Sequence, residues 1–242
     1  MKNAQDWKPT KYVVRRGKLR GSRDPAQVGI ASRLMADLVA AHYDARLKDF
    51  ARGRLLDLGC GHVPLYGAYK GLVSDVTCID WPNTIHPSPH LDYECDLTQP
   101  LPLNDRFDTI ILSDVLEHIP EPEKLFGEMV RVLAPGGHIL MNVPFLYWLH
   151  ETPHDYYRYT EFALRRFAGG LEIVRLDRIG GAAEVLADVF SKNVMIAGAL
   201  GRGVAQATQG LAGAFSRSRF GRKVSAATSG EFPLGYFMIL RR

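Results

Sequence analysis

The chain has 242 residues, 46% of them hydrophobic, and a formal net charge of +4, which suits one α/β domain with a full core and excludes a disordered or fibrous polymer. No apolar run approaches the roughly 20 residues that span a bilayer, and the basic N-terminus lacks the apolar run of a secretion signal, so neither a secreted nor a membrane-spanning protein is expected. Cys60, Cys78 and Cys95 have no metal-ligand spacing and point to a reducing, cytoplasmic setting.

The charge is uneven. Residues 1–23 hold eight Lys or Arg against one Asp, so the rest is net acidic. They are expected to form a basic N-terminal arm, which either contacts nucleic acid, an anionic membrane or an acidic partner, or is a solvated and partly disordered terminus. Residues 24–242 form the domain proper. Asp24-Pro25 followed by Gln27 reads as a capped helix start, predicting a helix from about 25 to 50 with Ile30, Leu34, Leu38 and Ala41 on its packed face.

The chain is organised around Arg54-Leu55-Leu56-Asp57-Leu58-Gly59-Cys60-Gly61-His62. Leu55, Leu56 and Leu58 suit a strand buried on both faces, and glycines at 59 and 61 allow a sharp turn against a ligand. A helix from about Val63 to Lys70 would complete a strand, loop, helix unit of an open α/β sheet. A dinucleotide fingerprint wants a third glycine where Pro64 stands. Asp57 would repel a pyrophosphate but hold an ammonium group. Asp80 ends the next apolar run at about the spacing where an acid meets ribose hydroxyls. S-adenosylmethionine carries both an ammonium and a ribose.

At these residues the chain resembles the class I S-adenosylmethionine-dependent methyltransferases, and more narrowly their type 11 group. The resemblance covers roughly Arg54 to Thr160. It rests on Asp57-Leu58-Gly59-Cys60-Gly61, Asp80, Cys95-Asp96-Leu97, Phe107-Asp108, Ser113-Asp114-Val115-Leu116-Glu117-His118 and Leu133-Ala134-Pro135-Gly136-Gly137. Many members carry a third glycine at the position of Val63. The resemblance implies a Rossmann-like, doubly wound sheet of seven strands in a three-layer α/β/α arrangement, mostly parallel, with the last strand inserted antiparallel between the fifth and sixth. It also implies that Asp96 takes the adenine amino group while the backbone at Leu97 meets the ring.

Trp81 follows the ribose acid and either stacks on adenine or belongs to the core. The segment to Leu91 is a loop, and its His86 and His90 lack a third ligand, so no metal is expected. Residues 91–96 and 107–113 read as the third and fourth strands. Ser113, Asp114 and His118 lie in the loop beyond the fourth, with His118 either flooring the cofactor pocket or capping the next helix. A helix over 121–133 and a fifth strand over 138–143 follow.

His150-Glu151-Thr152-Pro153-His154-Asp155-Tyr156-Tyr157-Arg158-Tyr159-Thr160 then packs two histidines, two acids, three tyrosines and an arginine where an acceptor would enter. His150 paired with Asp155 is the first choice of general base and His154 the second. The competing reading has Thr160 capping a helix and Asp155 locking the loop through Arg158. Sixth and seventh strands are expected over 171–179 and 232–240. The insertion between them, about 180–231, carries an amphipathic helix with Glu184, Asp188 and Lys192 on one face and ends in a basic cluster. It reads as a lid, a dimer surface, a membrane-surface element or simply a packed helix with a mobile loop.

The leading expectation is methyl transfer to oxygen of a small-molecule, saccharide or lipid-linked acceptor in the cytoplasm, with membrane-surface contact as an addition. No Asn-Pro-Pro-aromatic run follows the fourth strand and no Pro-Cys pair exists, which disfavours nucleic-acid bases as acceptors. A nicotinamide oxidoreductase and a catalytically inactive cofactor-binding interaction protein are the alternatives.

Overall fold

The computed structural model describes residues 1–82 and 88–242. His86 lies outside them. The other histidine of that loop, His90, is buried and bonded through Nδ1 to the Lys2 carbonyl at 3.2 Å.

Seven strands form one sheet: β3 (Arg54–Leu58), β4 (Asp75–Asp80), β5 (Tyr93–Glu94), β6 (Phe107–Ser113), β7 (Leu133–Pro144), β8 (Glu172–Ile179) and β9 (Gly235–Arg241). Their order is β5-β4-β3-β6-β7-β9-β8. The first five run parallel, and β9 lies antiparallel between β7 and β8. Leu55, Leu56 and Leu58 are fully buried because helices cover both faces. One core joins the sheet to α3 (Pro122–Val132) and α4 (Glu161–Ala168). The other joins it to α1 (Arg33–Phe50) and the short α2 (Tyr66–Tyr69). Chain order reverses across β3 and β6, which opens a crevice beyond their carboxyl ends.

The basic arm is not a loose terminus. It folds into a hairpin, β1 (Tyr12–Arg15) and β2 (Lys18–Gly21), whose inward Tyr12 and Leu19 are buried in the α1 core while its arginines face out. Trp7 donates through Nε1 to the Val63 carbonyl at 3.1 Å and meets Tyr66 edge-on. The Met1 amino group pairs with Asp92 at 3.1 Å.

The leading helix starts later than its sequence suggests. Asp24 Oδ1 accepts from Ala26 N at 2.9 Å, closing a local turn instead of capping a helix, and Gly29 is extended, so α1 begins at Arg33. Its buried face is Leu34, Met35, Val39, Ala40, Tyr43 and Leu47, rotated from the expected stripe. Ala41 is exposed.

The insertion comprises α5 (Ala182–Val194), α6 (Gly198–Arg217) and α7 (Arg219–Thr228). Helix α5 packs opposite to expectation. Glu184, Asp188 and Ser191 are its buried residues, whereas Leu186 is 70% exposed. Glu184 Oε1 accepts from Ser216 Oγ at 2.6 Å and from Ser225 Oγ at 2.5 Å, and Oε2 accepts from Gly181 N at 3.0 Å. Those bonds satisfy the carboxylate where an apolar contact would otherwise be expected. Gln209 of α6 ties the insertion to the start of α1, accepting from Leu34 N at 2.7 Å and donating to the Ala31 carbonyl at 3.1 Å.

Candidate functional site

Three strand ends meet at the crevice. After β3 the backbone turns through Gly59 (φ 64°) and Gly61 (φ 48°). A Cβ on Gly59 would lie 2.5 Å from Val115 Cγ2, so glycine is required there both by conformation and by the side chain opposite. Val63, where the family resemblance implies a third glycine in many members, adopts φ 51° while fully buried. A β-branched residue in that region is strained by an order of 1–3 kcal/mol. The loop therefore keeps the left-handed turn of a third glycine without having one.

Asp80 supports this loop from β4, accepting from Gly61 N at 2.6 Å and from Trp81 N at 2.7 Å. Asp57 is buried and accepts from Tyr69 Oη at 2.7 Å. Burial pushes its carboxyl up to about 7 against the lowering effect of Tyr69, and Asp80 adds to the rise. A ligand cation at this point would hold Asp57 ionised. The crevice thus offers a glycine cradle, an acid that gains from a positive ligand, and a second acid at ribose distance in chain order. These residues fit S-adenosylmethionine.

Asp96 and Leu97 sit where the chain leaves β5. Asp96 Oδ1 is engaged by Thr98 N at 2.9 Å, and Leu97 is buried. Trp81 is half-buried and meets the His154 ring edge-on at 5.1 Å.

Beyond β6, Asp114 takes φ 54° and is held from three directions. Asn142 Nδ2 donates to its Oδ1 at 2.6 Å, Lys11 Nζ from the arm donates to Oδ2 at 2.7 Å, and its own N–H donates to the Asn142 carbonyl at 3.2 Å. Asn142 Oδ1 in turn accepts from Ser113 Oγ at 2.8 Å and from Tyr43 Oη at 3.0 Å. Lys11, Tyr12, Val28, Tyr147, Glu117 and His150 line a cavity of about 190 Å³ beside Asp114. The arm is therefore a wall of the crevice. Charge alone concealed this, although the Tyr12/Leu19 alternation around Arg16-Gly17 is a hairpin signal.

The two unusual stretches of sequence pack on each other. Tyr156 N and Tyr157 N donate to the Glu117 carbonyl at 2.9 and 3.2 Å, and Tyr159 Oη donates to the Leu116 carbonyl at 3.0 Å. His118 does not cap α3. Its ring faces His150 edge-on at 4.8 Å, and its Nδ1 lies 2.8 Å from the His154 carbonyl.

His150 Nδ1 lies 3.3 Å from Asp155 Oδ2, so the expected pair is adjacent. Asp155, however, is first an anchor. Arg158 grips it with two bonds of 2.5 and 2.7 Å, and His150 N donates to it at 2.9 Å. Burial raises the Asp155 carboxyl, but Arg158 and the His150 amide outweigh this and bring it to about 2. Desolvation, then the His118 charge, lower the His150 imidazole against the raising effect of Asp155, which favours its neutral, proton-accepting form. His154 Nδ1 reaches only Tyr156 Oη, at 3.2 Å, on the exposed side. Thr160 Oγ1 caps α4 by accepting from Ala163 N at 3.2 Å.

Glu117, quoted in the sequence motif but given no role there, is fully buried in the floor. Burial pushes its carboxyl well up, with Asp114 adding to the rise.

A methyltransferase-domain family model matches residues 29–177. A ubiquinone biosynthesis O-methyltransferase of Xanthomonas oryzae pv. oryzae is 31% identical over 123 residues, which is 46% of this chain and 49% of the relative. The chain thus spans about half the length of the curated relatives it matches. An S-adenosylmethionine-dependent methyltransferase from Mesorhizobium loti shares the fold at TM-score 0.53 and 15% identity, covering 86% of this chain and all of that one. Coclaurine N-methyltransferase, solved with N-methylheliamine and SAH, superposes at TM-score 0.51 and 14% identity, covering 87% and 73%.

Proposed function

The chain belongs to the methyltransferase-domain family, whose cofactor is S-adenosylmethionine, and from that premise we propose that it methylates a hydroxyl oxygen on a small, lipid-soluble acceptor. The observation that carries the choice of oxygen is a proton acceptor on the cavity wall: neutral His150 stands beside buried Glu117 and Asp114. An alcohol or phenol must lose its proton during transfer, whereas a neutral amine attacks with its lone pair. The name of the Xanthomonas relatives supports the same reading.

S-adenosylmethionine supplies a methyl group on a positively charged sulfur. Gly59 and Gly61 let the backbone close around its methionine part, Asp57 faces the ammonium, and Asp80 takes the ribose hydroxyls. Trp81, Asp96 and Leu97 border the adenine, while Ser113, Asp114 and His118 border the methionine side. His150 Nε2 would accept the hydroxyl proton of an acceptor held in line with that methyl group. Holding the two reactants in line supplies about 7–11 kcal/mol of the lowered barrier. Asp155 and Arg158 keep the His150 loop in place.

The lipid-soluble acceptor is supported by what surrounds the cavity. Trp148 is 56% and Ile196 95% exposed. An open groove of about 560 Å³ beside them is lined by Phe145, Leu146, Val185 and Val189. Arg15, Arg16 and Arg20 gather on the hairpin, a cation set suited to an anionic lipid surface. No helix among the described residues is long and apolar enough to cross a membrane.

Methyl-labelled S-adenosylmethionine incubated with the protein and a cell extract should place label in base-stable, organic-soluble material. Label in protein or nucleic acid would refute the acceptor class, and no transfer to any fraction would favour an inactive binding protein.

A further inference from the structure

Glu117, His118 and His150 offer ligand atoms within 4.8 Å of one another. Glu117 Oε1 lies 3.8 Å from Nε2 of each histidine, too far for a hydrogen bond to either. Glu117 is fully buried, and neither of its carboxylate oxygens nor His118 Nε2 has a hydrogen-bond partner. Native interiors rarely leave such groups unpaired.

The tautomers sharpen the problem. A carbonyl only accepts, so His118 Nδ1, 2.8 Å from the His154 carbonyl, carries the proton. Its Nε2 is then a lone pair in the neutral ring. His150 Nδ1 likewise faces acceptors only, Asp155 Oδ2 at 3.3 Å and the Trp148 carbonyl at 3.3 Å. With Glu117 ionised, three acceptors therefore converge with no donor among them. Histidines whose far nitrogen is fixed by a carbonyl or carboxylate are the usual form of metal-binding histidine.

We propose that Glu117, His118 and His150 bind one divalent first-row cation, Zn²⁺ or a chemically similar ion, at the wall of the acceptor cavity. Two atoms bound to one cation at about 2.1 Å lie roughly 3.0–4.2 Å apart, so the 3.8 Å separations already fit and only the histidine pair must close slightly. One carboxylate and two imidazoles leave coordination positions open. These face the cavity that Glu117 and His150 line.

The role of this cation rests on the hydroxyl-acceptor reading. An acceptor oxygen bound to it loses its proton to solvent water on binding, as metal-bound water does near neutral pH. His150 then serves as a ligand, and takes the proton itself only in the metal-free protein.

The test begins with full-length protein stripped by a chelator and titrated with Zn²⁺ alone by calorimetry, with Co²⁺ absorption as the second readout. One cation per chain should bind, and Glu117→Gln and His118→Ala should each weaken it by roughly 100-fold while circular dichroism shows an unchanged fold. His90→Ala, at a buried histidine away from the site, serves as the control and should leave affinity unchanged. Absence of one-to-one binding, or affinity unmoved by Glu117→Gln, overturns the site. Should Glu117→Gln fail to fold, His118→Ala and the Co²⁺ spectrum of the intact chain decide alone. Methyl transfer that survives chelation at full rate in protein that binds no Zn²⁺ overturns the cation while leaving the methyltransferase reading intact. Zn²⁺ binding without any methyl transfer supports the site and defeats that reading instead.

Discussion

His150→Ala should bind S-adenosylmethionine as the unaltered protein does and turn over roughly 10² to 10⁴ more slowly, the usual contribution of a group that handles the reacting proton. The separation of effects follows from position. His150 lines the cavity with Glu117 and Tyr147, whereas the Gly59 loop is held by Asp80 and lies against Val115. Asp155→Asn should behave differently, because its carboxylate is fully buried and gripped by Arg158. Neutralising it leaves a half-buried guanidinium without its counter-ion, so acceptor KM and turnover should worsen together as the loop loosens. Stopped-flow turnover and cofactor calorimetry on both variants distinguish the two roles. Near-normal turnover of His150→Ala between pH 6 and 9 would remove His150 from the chemistry.

The second large effect is expected at Gly59. Gly59→Val should lose measurable cofactor binding, but not by filling ligand space alone. The new Cβ would lie 2.5 and 2.8 Å from the two methyls of Val115, and φ 64° is unsuited to a branched side chain. The loop after β6 would be pushed as well, so the melting midpoint should fall. Pairing Gly59→Ala with Val115→Ala should recover much of the midpoint by relieving the collision, while cofactor affinity stays impaired because the φ strain remains. A folded Gly59→Val protein with ordinary affinity would refute the cradle.

What the sequence made legible was local. The glycine loop, Asp57 and Asp80 announce themselves within a few residues because buried parallel strands and tight turns leave strong signatures. Strand order came only with the family resemblance, since no residue pattern tells β9 to enter between β7 and β8. The α1 start was misread because an acid followed by proline suits a local turn as well as a helix cap, and Gly29 decided between them. Helix α5 shows two faces in sequence, but which is buried depends on Ser216 and Ser225, more than thirty residues away. Glu117 escaped notice for the same reason. Its two histidine neighbours include one 33 positions on, brought close only when Tyr156, Tyr157 and Tyr159 dock on the 116–120 turn.

Calorimetry of the unaltered protein with S-adenosylmethionine and, separately, with NAD tests the central claim most directly. The crevice at Gly59, Asp57 and Asp80 predicts saturable binding of one S-adenosylmethionine per chain and no binding of NAD, whose pyrophosphate would meet the Asp57 carboxylate. Binding of NAD, or failure of S-adenosylmethionine to bind the folded chain, would contradict it.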